Sequence, residues 1–156
     1  MMNMMWTQKE ASLLEDLKAQ ERICVEKYGK YSQQAKDPQL KQLFAQIQQT
    51  EQQHEQTVTQ MINGTIPQMN QQGGQQQAQP GQLPAYGQQQ SPEKQADAYL
   101  CQDALGTEKH VSSVYDVSIF EFRSPQARDV LNHLQKEEQQ HGEMIYAYMA
   151  RNGMSA

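Results

Sequence analysis

Two of the four histidines close the same tetrad: Glu51-Gln-Gln-His54 within TEQQH and Glu138-Gln-Gln-His141 within EEQQH, 87 positions apart. Glutamine is so abundant that the Gln matches carry little weight. The Glu and His matches carry more, because residues three apart on a helix are neighbours on one face. Such a pair offers a carboxylate oxygen and an imidazole nitrogen, donors that suit Fe(II) and Mn(II). A single Glu-x-x-His most often belongs to a solvated polar face; a second copy in register reverses that expectation.

The repeat extends beyond the tetrad. Laying residues 15–62 on 102–149 without a gap matches ten positions: Asp16, Glu21, Tyr28, Pro38, Gln39, Gln48, Glu51, Gln52, Gln53 and His54. Each half therefore carries a Glu, a Tyr seven residues on, then Glu-x-x-His: Glu21, Tyr28, Glu51 and His54, and Glu108, Tyr115, Glu138 and His141. Seven residues is nearly two helical turns, so each Glu and Tyr share a face. A phenol so placed can hydrogen-bond a metal-bound carboxylate without itself being a ligand. The remaining histidines, His110 and His133, align with Ile23 and Gln46, and Glu55, Glu137 and Glu143 have no acidic counterpart. These five are expected in ordinary helix or solvated roles, while Phe120 and Phe122 read as packing residues.

Helices must position these groups. Apolar residues recur at helical spacing in two segments, with Leu13, Leu14, Leu17, Leu40, Phe44 and Ile47 in the first and Leu100, Leu105, Val111, Val130, Leu134 and Ile145 in the second. Each segment breaks once, at KDPQ and at RSPQ, where Asp37 or Ser124 can cap and Pro38 or Pro125 can occupy the first helical position. The pattern predicts two helical hairpins: a tail over 1–9, hairpin 1 over 10–62 and hairpin 2 over 93–151. Between them, residues 63–92 are rich in Gln, Gly and Pro and read as a flexible crossover linker.

The heights agree. From Glu21 to the end of its helix is about 21 Å at 1.5 Å per residue, and from Pro38 to Glu51 about 20 Å. Each hairpin thus brings its Glu and its Glu-x-x-His to one level. Packed face to face, the hairpins would assemble Glu21, Glu51, His54, Glu108, Glu138 and His141 in one layer of an all-α four-helix bundle. This is the ligand set of di-iron and di-manganese carboxylate bundles. Four buried carboxylates would repel one another unless cations neutralise them, and two divalent ions, iron ahead of manganese, supply the charge. The linker would have to cross the bundle, about 39 Å; about 30 flexible residues average about 30 Å end to end and reach much farther.

A net charge of −5 with no Lys/Arg cluster argues against nucleic acid or an anionic membrane as the main partner. No apolar run has the length of a membrane span, and the opening MMNMMWTQKE lacks the pattern of a signal peptide. Cys24 and Cys101 form no CxxC pair and read as buried thiols.

The repeated Glu-x6-Tyr and Glu-x2-His pattern resembles the ferritin-like superfamily of rubrerythrin, bacterioferritin and related di-iron oxidases. That resemblance implies the six Glu and His residues as ligands, with Glu51 and Glu138 bridging. LGTEKHVSSVYDVSIFEF with VLNHLQKEEQQHGEMIYAYM, over about 97–153, resembles the spore coat protein F family. This implies a small ferritin-like protein of the sporulating cell, associated with the spore coat and partnered by other coat proteins or its own copies. Three functions compete: a coat-associated protein with a dinuclear metal site, a di-metal oxidase or peroxide-detoxifying enzyme, and a structural coat module without a working site.

Overall fold

The computed structural model describes residues 5–69 and 83–154. Within them the chain is all-helical, with α1 (Gln8–Gln34), α2 (Pro38–Ile62), α3 (Pro92–Glu121) and α4 (Pro125–Arg151). The starts are chemically marked. Asp37 and Ser124 accept backbone N–H bonds as N-caps ahead of Pro38 and Pro125, and Ser91 does the same ahead of Pro92. Thr7 and Glu10 form a reciprocal capping box, so α1 begins inside the segment expected as a tail. α2 and α4 both end in Asn-Gly, where Gly64 and Gly153 take φ of +90° and +64°, backbone that glycine adopts without strain.

The four helices pack α1 on α2, α3 on α4, α1 on α3 and α2 on α4. Leu14, Leu17, Phe44, Ile47, Val58, Leu131, Leu134 and Ile145 lie in one shared core. Directions follow from the side-chain pairs. Along α1 and α3, Lys9 meets Glu121, Tyr28 meets Glu108 and Tyr31 meets Asp103, so these helices run antiparallel. Asp37 meets Tyr148 while His54 meets Glu138, so α2 and α4 are antiparallel too. α2 and α3 therefore point the same way, so the end of α2 and the start of α3 stand at opposite ends of the assembly, about 38 Å for the 25 residues of α2.

The crossover reading falls partly on 70–82, which lies outside the described residues. Residues 83–91 are pinned rather than loose. Asn152 Oδ1 accepts from the N–H groups of Ala85 and Tyr86 at 2.8 and 3.0 Å, and the buried Lys94 ammonium donates to Gly87 O at 2.8 Å. Trp6 likewise anchors the chain start, donating to Met61 O and packing edge-on against Phe122 with ring centroids 5.5 Å apart. Phe122, the C-cap of α3, is buried, as its packing role requires, but Phe120 is 83% exposed: two residues of helix turn a side chain by about 200°, so positions two apart near a helix end face opposite ways.

The repeat is visible in the contacts. Gln48 Nε2 donates to Val25 O at 3.0 Å, and Gln135, 87 positions on, donates to Ser112 O at 2.8 Å, again 87 positions on. Glu10 and Asp97 are also 87 apart, and each closes the turn of the opposite hairpin. Glu10 accepts from Arg123 N at 3.0 Å, and Asp97 accepts from Lys36 N at 2.8 Å and from Asp37 N at 3.0 Å. This acid pair lies outside the window in which the repeat was read.

Candidate metal centre

Glu21 comes from α1, Glu51 and His54 from α2, Glu108 from α3, and Glu138 and His141 from α4, and all six are at most 3% exposed. Their donor atoms form two overlapping groups. Glu21, Glu51, His54 and Glu138 offer one atom each within 4.8 Å of one another, and so do Glu51, Glu108, Glu138 and His141. Glu51 and Glu138 belong to both groups. The two imidazoles are stacked across the layer with centroids 6.0 Å apart.

His54 turns Nδ1 into the cluster, 2.8 Å from Glu138 Oε1, 2.9 Å from Glu51 Oε1 and 3.4 Å from Glu21 Oε2. One ring nitrogen directs one bond, and its partner is Glu138. His141 Nδ1 stands farther off, 3.6 Å from Glu108 and 3.8 Å from Glu51. As a result Glu21 Oε1, both oxygens of Glu51, Glu108 Oε1, Glu138 Oε2 and His141 Nδ1 are buried without a hydrogen-bond partner. Each such group costs about 1–3 kcal/mol, and more when charged. Acceptor atoms gathered in a dry layer are what a divalent cation requires, so the donor set fits a metal.

Protons offer a second way to neutralise the layer. Burial and the charge of Glu51 push the Glu21 carboxyl up to about 7. Burial, then the charges of Glu108, Glu51 and Glu21, raise Glu138 well above the carboxylate range. Burial alone would raise Glu51 as well, but its contacts with His54 and Glu138 and the charges of both imidazoles outweigh it and hold Glu51 at about 2. Burial opposes protonation of the imidazoles, yet the charge of Glu21 raises His54 well above its ordinary value and the neighbouring Glu108 carboxylate raises His141.

Tyr28 and Tyr115 are fully buried. Neither bonds the glutamate of its own helix, which lies about 10 Å away along the axis. Instead they cross: Tyr28 donates to Glu108 Oε2 and Tyr115 to Glu21 Oε2, both at 2.5 Å. In each case the tyrosine occupies one carboxylate oxygen and leaves the other, Oε1, facing the layer unpaired.

Glu137 corrects the sequence reading. Expected in solvent, its side chain is 12% exposed, and its Oε1 lies 2.8 Å from His54 Nε2 while its Oε2 lies 3.5 Å from His133 Nε2. The absence of a counterpart in the repeat was a sound reason to exclude it from the shared layer. It gave no information about a contact made by one half alone. Cys24 and Cys101 are buried free thiols. Burial, then the charges of the glutamates, pushes the Cys24 thiol up, and burial with Asp97 raises Cys101 to about 12.

A family model described as Coat F domain matches residues 96–156, which take in most of α3 and all of α4. Glu108, Glu138 and His141 lie within the match; Glu21, Glu51 and His54 lie before it. No curated protein and no solved structure matches the chain. No helix among the described residues is long and apolar enough to cross a membrane.

Proposed function

We propose that the chain is a spore coat-associated, ferritin-like four-helix bundle that holds two divalent ions, iron ahead of manganese, between its hairpins. The observation that carries this reading is the pair of overlapping donor groups with unpaired buried oxygens at their centre. Glu51 and Glu138, present in both groups, would bridge the ions, with Glu21 and His54 on one side and Glu108 and His141 on the other. When bound, such an ion pair supplies redox and Lewis-acid chemistry toward dioxygen or peroxide. The residues of the chain do the rest. The tyrosines orient the outer carboxylates, the apolar core keeps water from the layer, and the antiparallel packing fixes the spacing. Association with the coat rests on the Coat F match, and the partners would be other coat proteins or further copies of the chain.

Elemental analysis tests the reading, on protein expressed with iron and manganese available and beside a Glu51→Ala, Glu138→Ala variant. About two ions per chain, absent from the variant, are expected. A wild-type chain without metal would sink the dinuclear reading and leave a structural coat module. Turnover of peroxide or dioxygen by the loaded protein would add the enzyme reading to it.

A further inference from the structure

The two halves of the layer share their ligand types but not their surroundings. His54 Nδ1 faces the carboxylates, so its remaining nitrogen, Nε2, faces away from them, and there it meets Glu137 Oε1 at 2.8 Å. Glu137 is in turn steadied by His133, one turn back on α4, at 3.5 Å. The position equivalent to Glu137 in hairpin 1 is Thr50, which carries no charge. Among the described residues, no carboxylate oxygen lies within ion-pair distance of His141 Nε2. His141 Nδ1 is also the looser of the two inward nitrogens, with no hydrogen bond and its nearest carboxylate at 3.6 Å.

We propose that Glu137 makes the halves unequal, so that the Glu21/His54 half binds a divalent ion more tightly and fills before the Glu108/His141 half. The inference rests on the dinuclear reading above and adds an order of loading to it. A carboxylate accepting from one imidazole N–H fixes the tautomer that presents a lone pair at the other nitrogen. It also locks the ring plane and raises ligand basicity, and its removal commonly costs about 10–100-fold in metal affinity. Glu137 is a positioning residue in this scheme: it contacts His54 and no proposed metal position.

Titration of Mn(II) into metal-free protein, with free Mn(II) counted by electron paramagnetic resonance, tests the order directly. Wild type should bind two ions in separate steps, the first about 10–100-fold tighter. His141→Ala should keep the tight step and His54→Ala only the weak one. Glu137→Gln, nearly isosteric and at a partly exposed position, should bring the two steps together, and Thr50→Glu should tighten the second. Two ions bound with equal affinity by wild type, or a tight step unchanged in Glu137→Gln, would overturn the order while leaving the dinuclear reading intact. No ion bound by wild type would overturn both.

Discussion

Hairpin 1 and hairpin 2 are the same device built twice, and their agreements and differences separate two kinds of residue. They agree where one hairpin must complete the other. Tyr28 serves Glu108 and Tyr115 serves Glu21; Glu10 closes the second turn and Asp97 the first. They differ where a contact runs in one direction only, as with Glu137 of hairpin 2, which meets His54 of hairpin 1 while the uncharged Thr50 holds the equivalent place in hairpin 1. Reciprocal contacts tie two sequence positions together at once, so a pseudo-symmetric pair survives as a pair. Contacts made once leave no trace in the repeat.

The sharpest way to break the comparison is through the shared carboxylates. Glu51→Ala with Glu138→Ala should reduce bound metal from about two ions per chain to none, whereas Glu21→Ala or Glu108→Ala should each leave about one. Elemental analysis after desalting distinguishes the cases. If each outer variant lost both ions, the two groups would be acting as one indivisible site.

Next in size is the response of the metal-free layer to pH. Glu21 is raised from 4.5 to about 7, so the folded chain holds a proton that the unfolded chain gives up, and stability falls as pH rises across that interval. Glu138 has the same sign. The imidazoles, raised by carboxylate neighbours, contribute stability that is fully present below 6.5 and lost as pH rises through their folded values. Glu51, held at about 2, has already given its full contribution above about pH 5 and does not offset the fall. Thermal melts of metal-free protein should therefore drop between about pH 5 and 8, with Glu21 alone accounting for about 3 kcal/mol. Glu21→Gln should flatten the profile. A melting temperature that rises over this range would refute the assignment.

The turn acids come third. Asp97→Ala frees the N–H groups of Lys36 and Asp37 at the first turn and the Tyr86 hydroxyl, and should cost about 2 kcal/mol in urea unfolding. Glu10→Ala, which frees Thr7 N and Arg123 N, should cost about 1 kcal/mol. The smallest effects belong to Gln48→Ala and Gln135→Ala, about 1 kcal/mol or less each and of similar size, since each loses one neutral hydrogen bond to a backbone carbonyl. Unequal losses would show that their equivalent geometry does not carry equivalent energy.

Much of this arrangement was legible in the chain. The Asp37-Pro38 and Ser124-Pro125 breaks mark two helix starts because capping is local chemistry, and the Thr7/Glu10 box obeys the same rule. The six Glu and His residues stood out because a repeat in register filters residues needed twice from the glutamine background. Gln48 and Gln135 pass the same filter, yet the abundance of glutamine hides them among chance matches. Glu137, expected in solvent, and Phe120, expected in the packing, are both placed otherwise by the structure, since helical periodicity sets the face of a residue only to within the width of one side chain.

The sequence alone determined four helices, their approximate ends and the height at which each Glu and His stands, because hydrogen-bonded helical rise is fixed by the backbone and the ends by short-range caps. Only the tertiary structure decided which helix lies beside which. With α1 antiparallel to α3, each tyrosine is carried to the opposite glutamate, and with α4 against α2, Glu137 is brought under His54. Those choices depend on how apolar faces from distant segments interlock, and no spacing within one helix encodes them.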